Sequence, residues 1–306
     1  MKPPPFALQP TIQAQYERAV RSWLEQVSEA MLRVLEPHIL PARMDASTTP
    51  TPGNLPGALA ILKTMLPQLL EVQSAQSLFL RLALKSAARH KSELKGQLEL
   101  ALKPRLRKKV ARIDLFAIEP WLEPEAVRWA RANASLITSM PEELLDKAAA
   151  LVQKATPGGL RNEELAGKLR EALSVPRWRA KLIARDQMAK WNGSLTQRRL
   201  AGVGVDKFRW RTARDRRVVG TPGGEYPEAS DPSKHGDHYA REGRIFLVGH
   251  VPLIEVLVSG KQIARPEMSD GPPGHGIQCR CWAEPVIDEL EDLIDSMPAP
   301  IEMGGG

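Results

Sequence analysis

Apolar residues recur at every fourth position early in this chain, and that spacing limits its fold more than any other feature. Ala19, Trp23, Val27 and Met31 lie on one face of a helix expected from Thr11 to about Leu40. No strand-like alternation occurs anywhere in the first half. Side chains one helical turn apart share a face, whereas strand neighbours point to opposite faces, so this half must pack as helices. Residues 1–10 are Pro-rich and read as an extended or disordered arm. The segment "PARMDASTTPTPGNLPGALA" reads as a linker near 41–58. A second helical stretch starts near Leu59 and runs, with breaks, through Leu102, carrying Leu62, Met65, Leu69, Leu80 and Leu84.

Further along, Ser139 and Glu142 form a capping-box pair with Pro141 in the first turn, which predicts a helix start there. Leu144, Leu145, Ala148 and Val152 share its inner face, and Gly158–Gly159 stops it. Asn162 is the cap candidate of a second helix striped by Leu165, Leu169 and Leu173. Ser174 and Pro176 open a third that ends at Gly202. Short connectors favour antiparallel packing of these three. After Gly204 the period changes. "VDKFRWRT" alternates, with Phe208 and Trp210 on one face, and "GRIFLVG", "EVLVSGKQI" and "WAEPVI" read as further short strands. The expected class is α+β: a helical N-terminal half, then a helix bundle leading into a small, mostly antiparallel β module.

The 306 residues leave room for two domains. A formal charge of +7 favours an anionic partner, nucleic acid first and a membrane surface second. No apolar run is long enough to cross a membrane, and "MKPPPFALQP" lacks the apolar core of a signal peptide, so synthesis in a cytoplasm without secretion is expected. The basic charge is densest in "KPRLRKKVAR", where Arg105, Arg107, Lys108 and Lys109 read either as a solvated surface or as a phosphate-contacting strip. No aromatic residues interleave with them, so base stacking is not indicated.

The two cysteines, Cys279 and Cys281, are one residue apart, too close for a relaxed disulfide, and are expected to be reduced. With His235 and His238 they supply two nitrogens and two sulfurs, a tetrahedral set for a structural zinc. The alternative is small buried thiols beside a loop histidine pair. Against the metal stands the tight spacing, because adjacent strand residues point apart; His275 can also replace one histidine. No acid–base pair, phosphate loop or metallohydrolase helix stands at a defensible spacing, so no catalytic residues are expected. Arg185–Asp186 and Arg214–Asp215 read as helix-to-sheet ion pairs, with Arg185 and Asp215 fixing the docking. Asn192 and Gly193, poor helix formers, indicate close packing against the sheet. Trp210 and Trp282 are expected to anchor the strands that carry them.

In order and spacing, "IARDQMAKWNG", "FRWRTARDRRV", "HYAREGRIF" and "GPPGHGIQCRCW" resemble the phage head morphogenesis family, the Mu F-like minor head proteins of tailed phages. The likeness spans about residues 140–285. It differs in lacking the Cys-x-x-Cys pair that many members carry, and in a longer insert before the cysteines. The resemblance implies a virion protein, not an enzyme, that enters the prohead near the portal and takes part in assembly and in DNA packaging or ejection. Its implied partners are the portal protein, the inner capsid and packaged double-stranded DNA, with no membrane. Its implied location is the phage head, after a passage through the host cytoplasm during assembly. The corresponding domain plan is an arm at 1–10, a helical region at 11–135, the head morphogenesis domain at 136–288 and a flexible tail at 289–306. Two rivals stand beside it: an enzyme or toxin-linked module on the same C-terminal fold, and a zinc-stabilised DNA-binding protein.

Overall fold

A computed structural model describes residues 10–39, 55–69, 72–111, 114–158, 162–174, 177–213, 238–250, 253–258, 261–266, 271–276 and 279–296. The helices are α1 (Pro10–Ile39), α2 (Leu55–Leu69), α3 (Val72–Ala101), α4 (Pro104–Ala111), α5 (Leu122–Gly158), α6 (Asn162–Leu173), α7 (Arg177–Gly202) and α8 (Asp288–Ser296). The strands are β1 (Lys207–Arg211), β2 (Ile245–Leu247), β3 (Leu253–Val258), β4 (Lys261–Pro266) and β5 (Trp282–Val286). The expected α+β class is what the chain adopts. Residues 1–9 of the arm expected at 1–10 and most of the linker lie outside the described residues, but Pro10 already belongs to α1, and α2 begins at Leu55, within the expected linker.

Residues 14–82 and 124–184 form one compact unit, entirely helical among the described residues. The four-residue recurrence produces its core. Val27, Met31 and Leu35 of α1 meet Leu59, Leu62 and Leu66 of α2, with Leu144, Leu145, Ala148 and Val152 of α5 and Leu169 and Leu173 of α6. Elsewhere in the unit, Tyr16, Phe79 and Trp129 cluster, and the Tyr16 hydroxyl donates to Asn133 Oδ1 at 2.5 Å.

The helix start expected at Ser139 is corrected. α5 runs unbroken through it, and the Ser139 hydroxyl donates back to the Leu136 carbonyl at 2.8 Å instead of capping. Ala126, Ala130, Ala134, Ile137, Met140 and Leu144 are all buried, so the apolar stripe continues upstream of the apparent cap. An interior proline costs about 3 kcal/mol. Burying two or three large apolar side chains at about 1.5–3 kcal/mol each outweighs that cost, so Pro141 stays inside the helix. The domain boundary expected at 135–136 therefore falls within a single helix.

The second unit contains, among the described residues, 10–13, 83–111, 114–123 and those from 185 onward. Its three-stranded antiparallel sheet has the order β2-β1-β5, with Phe208 opposite Phe246 on one side and Trp210 opposite Ala283 on the other. Phe208 and Trp210 are buried as the alternation predicted, and the opposite face carries Arg211, paired to Glu284 at 2.6 Å. β3 and β4 make a separate antiparallel hairpin in which Leu253 faces Pro266 and Val258 faces Lys261. The core joins Leu94 and Leu98 of α3, Leu106 and Val110 of α4 and Leu200 of α7 to the inner side of the sheet. The tail expected from 289 is corrected in part: α8 occupies Asp288–Ser296 and buries Leu290 and Ile294, an i, i+4 pair, in this core.

Candidate metal centre

β1 is the rail on which one side of the centre is built. The turn after His238 is closed by Glu242 N–H donating to Tyr239 O and Arg244 N–H to Arg241 O, both at 3.0 Å. Gly243 takes φ +78° there, a conformation that disfavours any side chain. The turn is bonded to β1 through Trp210 N–H to Arg244 O and Gly243 N–H to Trp210 O, both 2.8 Å. The Glu242 carboxylate fastens it again, accepting from Thr212 N–H at 2.7 Å and pairing with Arg211 at 3.3 Å. His238 is thereby set beside the Trp210 ring, centroids 5.2 Å apart in an edge-on arrangement.

The other side is held by helix α7. A Cβ on Gly193 would lie 2.6 Å from the Pro273 carbonyl oxygen and 3.0 Å from the His275 ring. One on Gly274, at φ +94°, would lie 2.8 Å from the Ala189 carbonyl. Two glycines thus let the loop at 271–276 press backbone to backbone on the helix. His275 Nε2 sits 3.0 Å from the Ser194 hydroxyl, and Cys279 N–H donates to Gly276 O at 2.9 Å, so the chain leaves α7 aimed at the centre. The packing expected of Gly193 is real, but its partner is this loop.

His238 Nδ1 lies 3.6 Å from the sulfur of Cys279 and 3.6 Å from that of Cys281. Among the described residues these three side chains form a group able to hold one metal ion, with every ligand atom within 4.8 Å of the others. The objection from strand geometry does not apply, because residues two apart on a strand share a face and β5 in any case starts at Trp282. Cys279 to Cys281 is a hook in which the Cys281 N–H donates to the Cys279 sulfur at 3.4 Å, turning both sulfurs inward. A tetrahedral zinc with Zn–S of ~2.3 Å and Zn–N of ~2.0–2.1 Å requires a sulfur–nitrogen separation of about 3.6 Å. Both separations meet that requirement, so the donors fit the ion.

Burial and mutual contact split the two thiols. The hydrogen bond from Cys281, followed by that from His238, holds the Cys279 thiol well below its ordinary value; burial, followed by Cys279, pushes Cys281 well above. Exposures of 3% for His238, 7% for Cys279 and 6% for Cys281 shut the group off from solvent, as suits an ion that staples a fold.

The other candidates are scattered. His235 and Asp215 lie outside the described residues, and His275 is engaged with Ser194. Arg185 is half-buried on α7, while Asp186 pairs within that helix to Lys190 at 2.7 Å. Trp210 is fully buried, but Trp282 is only half-buried. Ala283, its neighbour on β5, faces the core, and alternation turns Trp282 to the other face.

Of the basic strip, Arg105 pairs with Asp295 of α8 at 2.7 Å, and Arg107 donates to the carbonyls of Leu100 and Leu102 at the end of α3. Lys108 is exposed, and the side chain of Lys109 lies outside what is described.

A polar network escaped sequence reading altogether. Arg199 grips both Glu119 oxygens at 2.6 and 2.9 Å and donates to His90 Nδ1 at 2.8 Å. His90 Nε2 then donates to Thr196 Oγ1 at 2.8 Å, since Nδ1 is already an acceptor. These partners are 80 to 109 residues apart, and no local pattern marks them.

No family model matches the chain. No solved structure matches it either. A Haemophilus influenzae protein described as uncharacterized is 30% identical over 166 residues, a match covering 54% of this chain and 30% of that protein.

Proposed function

We propose that this chain is a minor head protein of a tailed bacteriophage, acting by binding during prohead assembly near the portal. One observation carries the reading. The separate motifs behind the family resemblance ("FRWRT", "HYAREGRIF" and "CRCW") supply β1, the His238 turn with β2, and the Cys hook with β5, and they meet around one buried centre. Chain pieces that are weak signatures singly are the parts of one device, which favours a shared ancestry over chance. On this reading the N-terminal helical region meets the portal or inner capsid, the basic balance of the chain suits a neighbour of packaged DNA, and the protein passes through the host cytoplasm before incorporation. Mass spectrometry of purified virions tests it: the chain should be present in a few copies per particle, and its absence from the particle sinks the reading.

Within that function, zinc is the ion the centre suits. Two thiolates and an imidazole are borderline-soft donors, and the ion would act as a clamp and not as a reagent. Cys279, Cys281 and His238 Nδ1 would hold it. A sheet of three short strands has little core of its own, and an ion joining the His238 turn to the β5 hook would close it. Elemental analysis of purified protein should find one zinc per chain. A metal-free wild-type protein, prepared without chelator, removes the assignment.

A further inference from the structure

Among the described residues, the core around the centre holds a buried donor that makes no ordinary hydrogen bond. The Trp210 side chain is fully buried, and its indole Nε1–H meets no acceptor at ordinary hydrogen-bond geometry among the described residues; the polar group it lies against is the Cys281 side chain. A buried donor left in that state costs roughly 1–3 kcal/mol. A hydrophobic anchor in this place would serve as well with a phenylalanine, so the nitrogen needs an explanation. Its ring is edge-on to His238 at 5.2 Å, and in the same core lie Cys279 and Cys281. On the ring's face, the buried Arg241 guanidinium stands 5.1 Å from the centroid. A cation there draws electron density from the indole and sharpens its N–H as a donor.

We infer that Trp210 is a positioning residue of the metal centre, its indole N–H directed at the Cys281 sulfur and satisfied when that sulfur is a metal-bound thiolate. This inference rests on the metal assignment and adds to it an outer partner that no ligand pattern contains. The chemistry is consistent on both sides. A neutral thiol is a weak acceptor, whereas a thiolate accepts charge-assisted bonds of roughly twice the strength of neutral ones. Outer partners of this kind fix ligand orientation and typically change metal affinity by about 10–100-fold.

The test uses the full chain. Trp210→Phe keeps an aromatic ring and removes the donor. Trp191→Phe is the control, because the Trp191 indole donates to the Ala83 carbonyl at 3.1 Å and has no part in the centre. With zinc, Trp210→Phe should lose about tenfold in affinity in a chelator competition, and Trp191→Phe should retain the wild-type value. With cobalt in the site, the sulfur-to-metal charge-transfer band of Trp210→Phe should move to lower energy, because a thiolate without its hydrogen bond is more easily oxidised. A purely structural tryptophan would leave that band in place.

Should the variant not fold, wild-type protein loaded with an NMR-active cadmium isotope still decides: one indole proton should show scalar coupling to the metal across the sulfur. Wild-type protein that takes up no metal overturns the metal assignment itself. Metal uptake with an unshifted cobalt band, or with no indole coupling to cadmium, overturns the role of Trp210 alone.

Discussion

Arg199 donates through Nη1 to Nδ1 of His90 at 2.8 Å, with both side chains buried. A protonated imidazole would present N–H to N–H there, so the pair works only while His90 is neutral. Burial, and then the Arg199 charge, hold His90 well below its ordinary value of 6.5. The folded protein therefore binds fewer protons than the unfolded chain between 6.5 and the depressed folded value. Stability from this group is complete above about pH 6.5 and falls as the pH drops through that window, at up to about 1.4 kcal/mol per pH unit. The charged groups facing the ring are Arg199 of α7 and, through it, Glu119. Urea titrations at stepped pH should show this acid slope, and His90→Gln, which retains an acceptor for Arg199, should lack the part owed to this residue.

Glu119 is the counter-charge of a guanidinium that is 1% exposed. Glu119→Ala leaves that cation buried and uncompensated, and a loss of about 3–5 kcal/mol is expected. Denaturant midpoints of the variant and of Glu119→Gln, which keeps the shape and one acceptor, would measure it. A change below about 1 kcal/mol in both would mean that the pair is not truly desolvated.

The glycines make opposite predictions according to their surroundings. Gly193→Ala should destabilise by about 1–3 kcal/mol, because the new methyl group meets the Pro273 backbone at 2.6 Å, and a backbone cannot swing aside. Gly96→Ala and Gly167→Ala place a methyl where no atom lies within 4 Å and should stabilise by up to about 1 kcal/mol through helix propensity. Thermal melts of the three variants side by side check the signs.

The centre should couple metal to stability. Saturating zinc should raise the melting temperature of the wild type in a concentration-dependent way, as for any ligand of the folded state alone. Cys279→Ser and Cys281→Ser should abolish the response, while His275→Ala should keep it, since that ring sits against Ser194. A zinc response lost in His275→Ala and preserved in Cys281→Ser would reverse the ligand assignment.

The basic strip is partly occupied from within. Lys103 pairs with Glu291 at 2.6 Å and Arg105 with Asp295 at 2.7 Å, so α8 already neutralises charges that the sequence leaves open to phosphate. If α4 meets DNA, Lys108→Glu, alone or with Lys109→Glu, should weaken binding. It should also flatten the dependence of log affinity on log salt by about one unit for each phosphate no longer neutralised. Glu291→Gln with Asp295→Asn should steepen it. A wild-type midpoint that ignores salt removes DNA as a partner of this surface.

The sequence by itself determined whatever depends on local periodicity. The Val27 and Met31 end of the α1 stripe, the stripe of α6 and the alternation of Phe208 with Trp210 are properties of neighbouring residues, because a helix or strand repeats its inner face at a fixed short interval. Upstream in α1 the 3.6-residue period moves the buried positions to Tyr16, Val20 and Leu24, leaving Ala19 and Trp23 half-buried. The Cys-x-Cys pair was visible directly, whereas the hook that turns both sulfurs inward was not. Even locally, the cap signal at Ser139 misled, since a capping box is worth about 1 kcal/mol and a continuing buried stripe is worth several times that.

Only the tertiary structure decided which partners meet across the chain. It set His238 against cysteines 41 and 43 residues away. It gave Gly193 a loop to press on and joined His90, Arg199 and Glu119 into one buried network. It drew Arg105 toward α8. None of these residues has neighbours that announce its role, because a contact between distant segments is fixed by how whole elements pack, and burial then makes its polar groups find each other or bear the cost of having no partner.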